Sequence, residues 1–230
     1  GIALAEGSVE DCRDEYKDRL SAIPLIPNDS PHGRLPAFET ICKLQPDFVY
    51  GTAYGFRSGT GVGEPSDFER QGARVYASKG TYVLGCTLGD VYEDILNIGR
   101  IFDVEQRASE IVDAMQRMVA GLDGDLAGVK PLKVFVYDQS NREEAFTAGL
   151  SLESTVIRLA GGINVFESIP SHFATVSWSR VEESKPDAIL VHRFYSEEDA
   201  QAKTGCLLRR HELREVPAIR HKRIFSVRLS

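Results

Sequence analysis

The sequence predicts an α/β protein of two Rossmann-like lobes, each built on a parallel sheet, joined by a long helix with a ligand cleft between the lobes. Three observations carry that prediction: an internal repeat, short β-rich apolar runs bounded by turns, and one long amphipathic stretch between the halves. The repeat is Phe38-Glu39-Thr40-Ile41-Cys42-Lys43-Leu44-Gln45-Pro46-Asp47-Phe48-Val49-Tyr50, a short helix, a Pro-Asp turn and a strand. It returns 140 positions later as Trp178-Ser179-Arg180-Val181-Glu182-Glu183-Ser184-Lys185-Pro186-Asp187-Ala188-Ile189-Leu190. In each copy the proline cannot continue the helix and drives its predecessor toward extended backbone. The apolar run that follows reads as a strand covered on both faces.

The other elements follow in order. Downstream of the first copy come a helix from Pro65 to Gln71 and a strand at Ala73-Arg74-Val75-Tyr76. Downstream of the second come a helix from Ser196 through Lys203 toward Leu213 and a strand at Arg223-Ile224-Phe225-Ser226-Val227. Upstream of the second copy, Ile163-Asn164-Val165-Phe166 matches Gly1-Ile2-Ala3-Leu4. The second half adds a strand at Lys133-Val134-Phe135-Val136-Tyr137 and a helix from Leu152 to Leu159, stopped by Gly161-Gly162. The first half has no counterpart to that pair, so the natural protein is expected to extend one β-α unit before Gly1.

Between the halves, Asp90 to Phe102 carries Val91, Ile95, Ile98 and Phe102 at helical spacing. Asp103-Val104-Glu105-Gln106 then reads as a capping box. It opens a helix to about Leu122 with Ile111, Val112, Met115, Met118, Val119 and Leu122 on one face, roughly 28 Å long. The expected organisation is residues 1–88 as the first lobe, 89–123 as connecting helices and 124–230 as the second lobe. One continuous doubly wound sheet with an insertion is the alternative.

Composition narrows the function classes. The chain has 230 residues, 42% apolar and 27% charged, which is about one and a half average domains and too apolar for disorder. Twenty-seven Lys and Arg against 34 Asp and Glu leave a net charge of −7. That argues against a nucleic-acid or anionic-membrane surface but permits a local basic pocket. Apolar runs such as Ile189-Leu190-Val191 are too short to span a bilayer. Gly1-Ile2-Ala3-Leu4-Ala5 lacks the pattern of a signal peptide.

Enzyme templates fail one at a time. Gly59-Thr60-Gly61-Val62-Gly63 lacks the lysine and spacing of a phosphate loop and reads as a flexible connection. Gly149-Leu150-Ser151-Leu152-Glu153 lacks the closing glycine of a nucleophile elbow, and Ser151 reads as a helix N-cap. His32, His172, His192, His211 and His221 show no metal-ligand spacing, and neither do Cys12, Cys42, Cys86 and Cys206. Cys42 sits in an apolar helical pattern and reads as a small buried hydrophobe. Cys12 and Cys86 fall in loops that would pair in an oxidising compartment.

Ligands of open α/β sheets bind beyond the carboxyl ends of the strands. The residues predicted there are Tyr54, Phe56 and Arg57 after the first-copy strand, then Asp138, Gln139, Ser140, Arg142 and Phe146 after Tyr137. His172 and Phe173 follow Phe166, and His192, Arg193, Phe194 and Tyr195 end the second-copy strand. Arginine forks and aromatic faces suit a bulky, partly aromatic, anionic ligand.

The two copies, Asp90-Val91-Tyr92-Glu93-Asp94-Ile95 through Gly99-Arg100, Ala160-Gly161-Gly162-Ile163-Asn164-Val165-Phe166, and Val216-Pro217-Ala218-Ile219 through Phe225 carry a resemblance. They resemble the helix-linked (class III) periplasmic substrate-binding proteins of iron-siderophore, haem and vitamin B12 ABC importers, over nearly the whole chain. Phe146-Thr147-Ala148-Gly149 resembles a pattern in the iron-siderophore branch. The resemblance implies a monomeric exported protein, periplasmic or a membrane-anchored lipoprotein, that captures a ferric chelate without catalysis or cofactor and delivers it to a permease with little closure. A tetrapyrrole-binding or tetrapyrrole-processing protein on the same fold, with His172 and His192 as axial ligands, is the alternative; a non-binding interaction module is a third reading. Relatives also carry a β-α unit before Gly1 and a helix after Ser230. In the family one acidic residue per lobe contacts permease arginines. Glu39 matches the first, while the second position holds Ser179, with Glu182 or Glu183 one turn along the same helix. The exported setting favours a Cys12–Cys86 disulfide.

Overall fold

The computed structural model describes residues 14–29, 35–57, 61–122, 126–194 and 196–228. The chain divides into two compact units, Gly1–Thr81 and Tyr82–Ser230.

In the first unit, α1 (Asp14–Ser21) is a surface helix, and α2 (Phe38–Cys42) leads through Pro46-Asp47 into β1 (Phe48–Gly51). Asp67 reaches back to the Glu64 N–H at the start of α3 (Pro65–Arg70), and Pro65 sits in the first turn, where its missing donor costs nothing. β2 (Arg74–Ala77) pairs parallel with β1, Phe48 opposite Arg74 and Gly51 opposite Ala77. Ile41, Phe56, Val62, Phe68 and Ala73 form the core. Phe38 meets Phe68 edge-on with centroids 4.9 Å apart, and Phe56 meets it at 6.3 Å. No loose connection follows Arg57 in the described part of the Gly59–Gly63 run. Val62 is buried and its N–H bonds the Gly55 carbonyl at 2.8 Å, while a Cβ on Gly61 would lie 2.1 Å from that carbonyl oxygen.

The second unit opens with two helices. Thr87 and Asp90 form a true capping box at the start of α4 (Leu88–Ile101), each side chain meeting the other's N–H, at 3.4 and 2.8 Å. The box expected at Asp103 is absent. Asp103 takes a left-handed conformation (φ 55°) and closes α4 through its N–H to Arg100, so α5 (Glu105–Ala120) starts from Val104 with no side-chain cap. The two helices pack where Gly99 meets Ala108; a Cβ on Gly99 would lie 2.5 Å from that of Ala108. Val112 of the predicted apolar face is buried, whereas Ile111 and Met118 are exposed.

The main sheet is parallel, in the order β6 (Gly162–Asn164), β3 (Leu132–Tyr137), β8 (Ala188–Arg193), β9 (Ile224–Arg228). One face carries Phe135, Tyr137, Ile189 and Val191 against α7 (Trp178–Ser184) and α8 (Glu197–Leu208), with Trp178, Val181 and Leu207 packed in. The other carries Val134 and Val136 against Ile157 of α6 (Leu152–Leu159). Burying each large aliphatic or aromatic side chain contributes about 1.5–3 kcal/mol. The short helix α9 (Pro217–Arg220) precedes β9.

An antiparallel sheet that the sequence reading did not predict sits beside this frame. It runs β4 (Gln139–Ser140), β5 (Glu144–Ala148), β7 (Phe173–Ser177). Asn141 makes its turn by accepting the Glu143 and Glu144 N–H groups on its side-chain oxygen, both at 2.8 Å. Because β7 runs straight into α7, this sheet leads directly into the second copy of the repeat.

Candidate functional site

The central pair of the main sheet defines a place before any side chain is considered. The chain leaves β3 through α6 to β6 on one side, while β8 flanks β3 on the other. The carboxyl ends of β3 and β8 are the place where open α/β sheets bind ligands. Asp138 follows β3, His192 lies near the end of β8, and α6 begins beside them.

His192 is fully buried. Its Nε2 is hydrogen-bonded to the Glu153 carboxylate in the first turn of α6, and its Nδ1 lies 3.7 Å from Asp138. Burial alone would strip its proton. The neighbouring Asp138 and Glu153 carboxylates, Glu153 also through its hydrogen bond, override that and raise its pKa to about 9. With no exposed surface and its ring held by Glu153, His192 is a structural group and not the ligand contact expected of it. Phe56 is corrected in the same way, being a core side chain of the first unit.

The remaining predicted residues fall into local groups. In the first unit, exposed Tyr54 and Arg57 lie together, the guanidinium 5.5 Å from the ring centroid. In the second, Gln139 pairs opposite Phe146, and Phe146 stacks on Phe173 with centroids 5.6 Å apart. His172 precedes Phe173 and both its ring nitrogens are buried without a hydrogen-bond partner. Arg142 is exposed in the β4–β5 turn. Arg193 donates to Glu197 at 2.6 Å, and Phe194 lies under the Lys203 ammonium at 4.2 Å. Tyr195 lies outside the described residues, as does Cys12; Cys86 is buried. Cys42 is half-buried, and burial pushes its thiol pKa up.

Two motifs acquire a physical reason here. The last residue of Phe146-Thr147-Ala148-Gly149 must be glycine, since a Cβ there would lie 2.3 Å from the Ser171 carbonyl oxygen. Asn164 of the Gly-Gly-Ile-Asn run is buried and donates to the Ala148 carbonyl and to Ser154, both at 2.8 Å. Ser154 in turn donates to the Gly149 carbonyl at 2.6 Å. This network pins the end of β5 to α6 and β6. Ser151 is the α6 N-cap residue, but its hydroxyl makes no cap bond and is buried without a partner.

The acidic positions are accessible. Glu39 is exposed on α2, whose start is held by Asp29, which accepts the Ala37 N–H at 3.1 Å and the Thr40 hydroxyl. The Thr40 hydroxyl and then the Ala37 N–H lower the Asp29 pKa. Glu182, Glu183 and Ser179 are exposed on α7, where Ser179 and Ser177 share a hydroxyl hydrogen bond at 2.9 Å. No group of metal-ligating side chains occurs among the described residues. A cavity of about 350 Å³ lined by Cys42, Pro46, Asp47 and Phe68 lies at the amino ends of β1 and β2, away from the predicted loops.

Glu153 was missed by sequence reasoning because its partner is 39 positions away. Only the turn-forming Asn141 offered a signal for the hairpin.

A sequence profile described as periplasmic binding protein matches residues 5–228. No curated protein matches significantly. Among solved structures, a periplasmic binding protein from Veillonella parvula superposes with a TM-score of 0.83 at 21% identity, covering 94% of this chain and 72% of that one. The ABC-type Fe3+-hydroxamate transport system from Saccharomonospora viridis gives 0.80 at 23% identity, covering 97% and 76%. A periplasmic haem-binding protein of Vibrio cholerae gives 0.68 at 21% identity, covering 92% and 77%.

Proposed function

The chain belongs to the periplasmic binding protein family, and from that premise we propose that it captures an anionic metal chelate of the ferric-siderophore class outside the cytoplasm. It hands that ligand to an ABC permease. Binding involves no covalent chemistry and no resident cofactor. The observation that carries the reading is one antiparallel sheet that bears an arginine and stacked rings: Phe146 stacks on Phe173 opposite Gln139, with Arg142 in the turn at one end and His172 at the other. An arginine fork pairs with carboxylate or phenolate oxygens, and stacked rings cover a chelate's organic shell. Tyr54 and Arg57 supply the same chemistry in the first unit, and Arg193 and Tyr195 extend it in the second. The fold shared with an Fe3+-hydroxamate transport protein supports this choice. Glu39 and Glu182 are the proposed contacts for permease arginines.

Equilibrium dialysis and Trp178 fluorescence with a ferric trihydroxamate, a ferric tricatecholate, haemin and cyanocobalamin test the reading. Micromolar or tighter binding of a ferric chelate, weakened in Arg142→Ala, is the expected result; silence across all four overturns it.

A second reading, a tetrapyrrole carrier, is favoured by one observation: the His172 ring nitrogens have no protein partner. It predicts a Soret shift on haemin addition that His172→Ala abolishes.

A further inference from the structure

The chelate reading places Arg142 at the tip of a very short hairpin, and something must hold that tip. β4 is two residues long, and a ribbon of that size is unstable by itself. Its turn is closed from within by the Asn141 N–H to the Glu144 carbonyl at 3.0 Å. The Asn141 and Arg142 carbonyls face out of the turn, and both accept from one side-chain nitrogen almost seventy residues away. Arg210 Nη2 donates to them at 2.8 and 3.0 Å.

Arg210 lies between the end of α8 and a 3-10 turn at His211–Leu213. Its Nη1 donates to Glu212 at 2.8 Å, which fixes the plane of the guanidinium. The flat face of the same group lies over the Trp178 ring, 3.7 Å from its centroid. Trp178 is buried at the first position of α7, with Tyr137 5.9 Å away on the core side. Edge and face are thus used at once, which a planar guanidinium permits and an ammonium does not. One residue ties the β4–β5 turn to the start of the helix that bears Glu182.

We propose that Arg210 is a positioning residue: it holds the β4–β5 turn against Trp178 and thereby sets Arg142 where the chelate is bound. The proposal rests on the chelate reading for its consequence in affinity, and on the contacts above for the clamp itself. Arg210 touches no ligand. Its side chain is largely covered, with 18% exposed, and Nη1 and Nη2 donate to Glu212 and to the turn.

The test uses four variants, Arg210→Gln, Arg210→Lys, Arg142→Ala and the double variant Arg210→Gln/Arg142→Ala, with two readouts. Amide exchange read by mass spectrometry on peptides covering 139–145 reports the turn. Equilibrium dialysis with a ferric trihydroxamate and a ferric tricatecholate reports affinity. Arg210→Gln is expected to speed exchange in the turn by at least about tenfold. It also weakens chelate binding by about tenfold, the scale of one charge-assisted contact. Arg210→Lys, which keeps the charge over Trp178, recovers part of both. Because Arg210 acts through Arg142, the double variant binds no worse than Arg142→Ala. If Arg210→Gln fails to fold, the lysine variant carries the same comparison. Unchanged exchange with intact binding overturns the clamp, and losses that multiply in the double variant overturn the route through Arg142. A wild-type protein that binds neither chelate overturns the ligand reading and the affinity role built on it.

Discussion

The two copies of the helix–Pro-Asp–strand repeat fold alike and end differently. In the first unit β1 is at most half-buried along its length and leads into a close turn filled by Phe56. In the second, β8 is buried at four of six positions and ends on a buried imidazolium between two carboxylates. The helix caps differ too. Ser177 caps α7 from the adjacent position, accepting the Arg180 N–H, whereas α2 begins at Ala37 without a side-chain cap and borrows the distant Asp29 carboxylate. The repeat specifies the α-β frame, while the strand ends, which the repeat does not cover, hold the differences in chemistry.

Breaking the charge cluster gives the largest expected difference between the units. His192→Gln leaves Glu153 and Asp138 without their cation and should destabilise the second unit by about 3–5 kcal/mol. Amide exchange should report this there and not in the first unit. The same cluster fixes a pH dependence. The His192 pKa is raised in the folded state, from 6.5 to about 9. Its contribution, on the order of 3 kcal/mol, is complete below pH 6.5 and disappears as pH climbs through 9. Urea titrations of the second unit between pH 6 and pH 10 should show that decline, and His192→Gln should flatten it. An equal decline in both units breaks the contrast.

Phe56→Ala is the counterpart in the first unit. Removing a ring that packs on Phe68 in a small core should cost about 3 kcal/mol there, measured by exchange in residues 38–77, with the second unit unchanged. The smallest effect is at the caps. Ser177→Ala should cost about 1 kcal/mol, seen as faster exchange in the first turn of α7.

How much was legible in the sequence follows the range of the contacts. α6 spans Leu152–Leu159 as its spacing predicts, and both Pro-Asp turns deliver their strands, because caps, prolines and periodicity act within a few residues. Asp103 has the right spacing for a box but is spent closing the preceding helix, a choice local pattern cannot decide. The Glu153–His192 and Arg210–Asn141 contacts join positions 39 and 69 apart and leave no local trace. Phe56 and His192 were placed at strand ends correctly; which way each side chain turns depends on what packs behind it.

β5 has one further property of practical use. Along Glu144–Ala148, Ala145 and Thr147 turn to one face and are buried, while Phe146 stands on the opposite face, across from Gln139 and Thr175. Residues directly opposite on an antiparallel pair share a face, so these three form an outward palette separate from the supporting layer. Exchanging them re-letters the surface and leaves the framework beneath untouched, the arrangement a protein engineer would choose for turning one carrier into sensors for different guests.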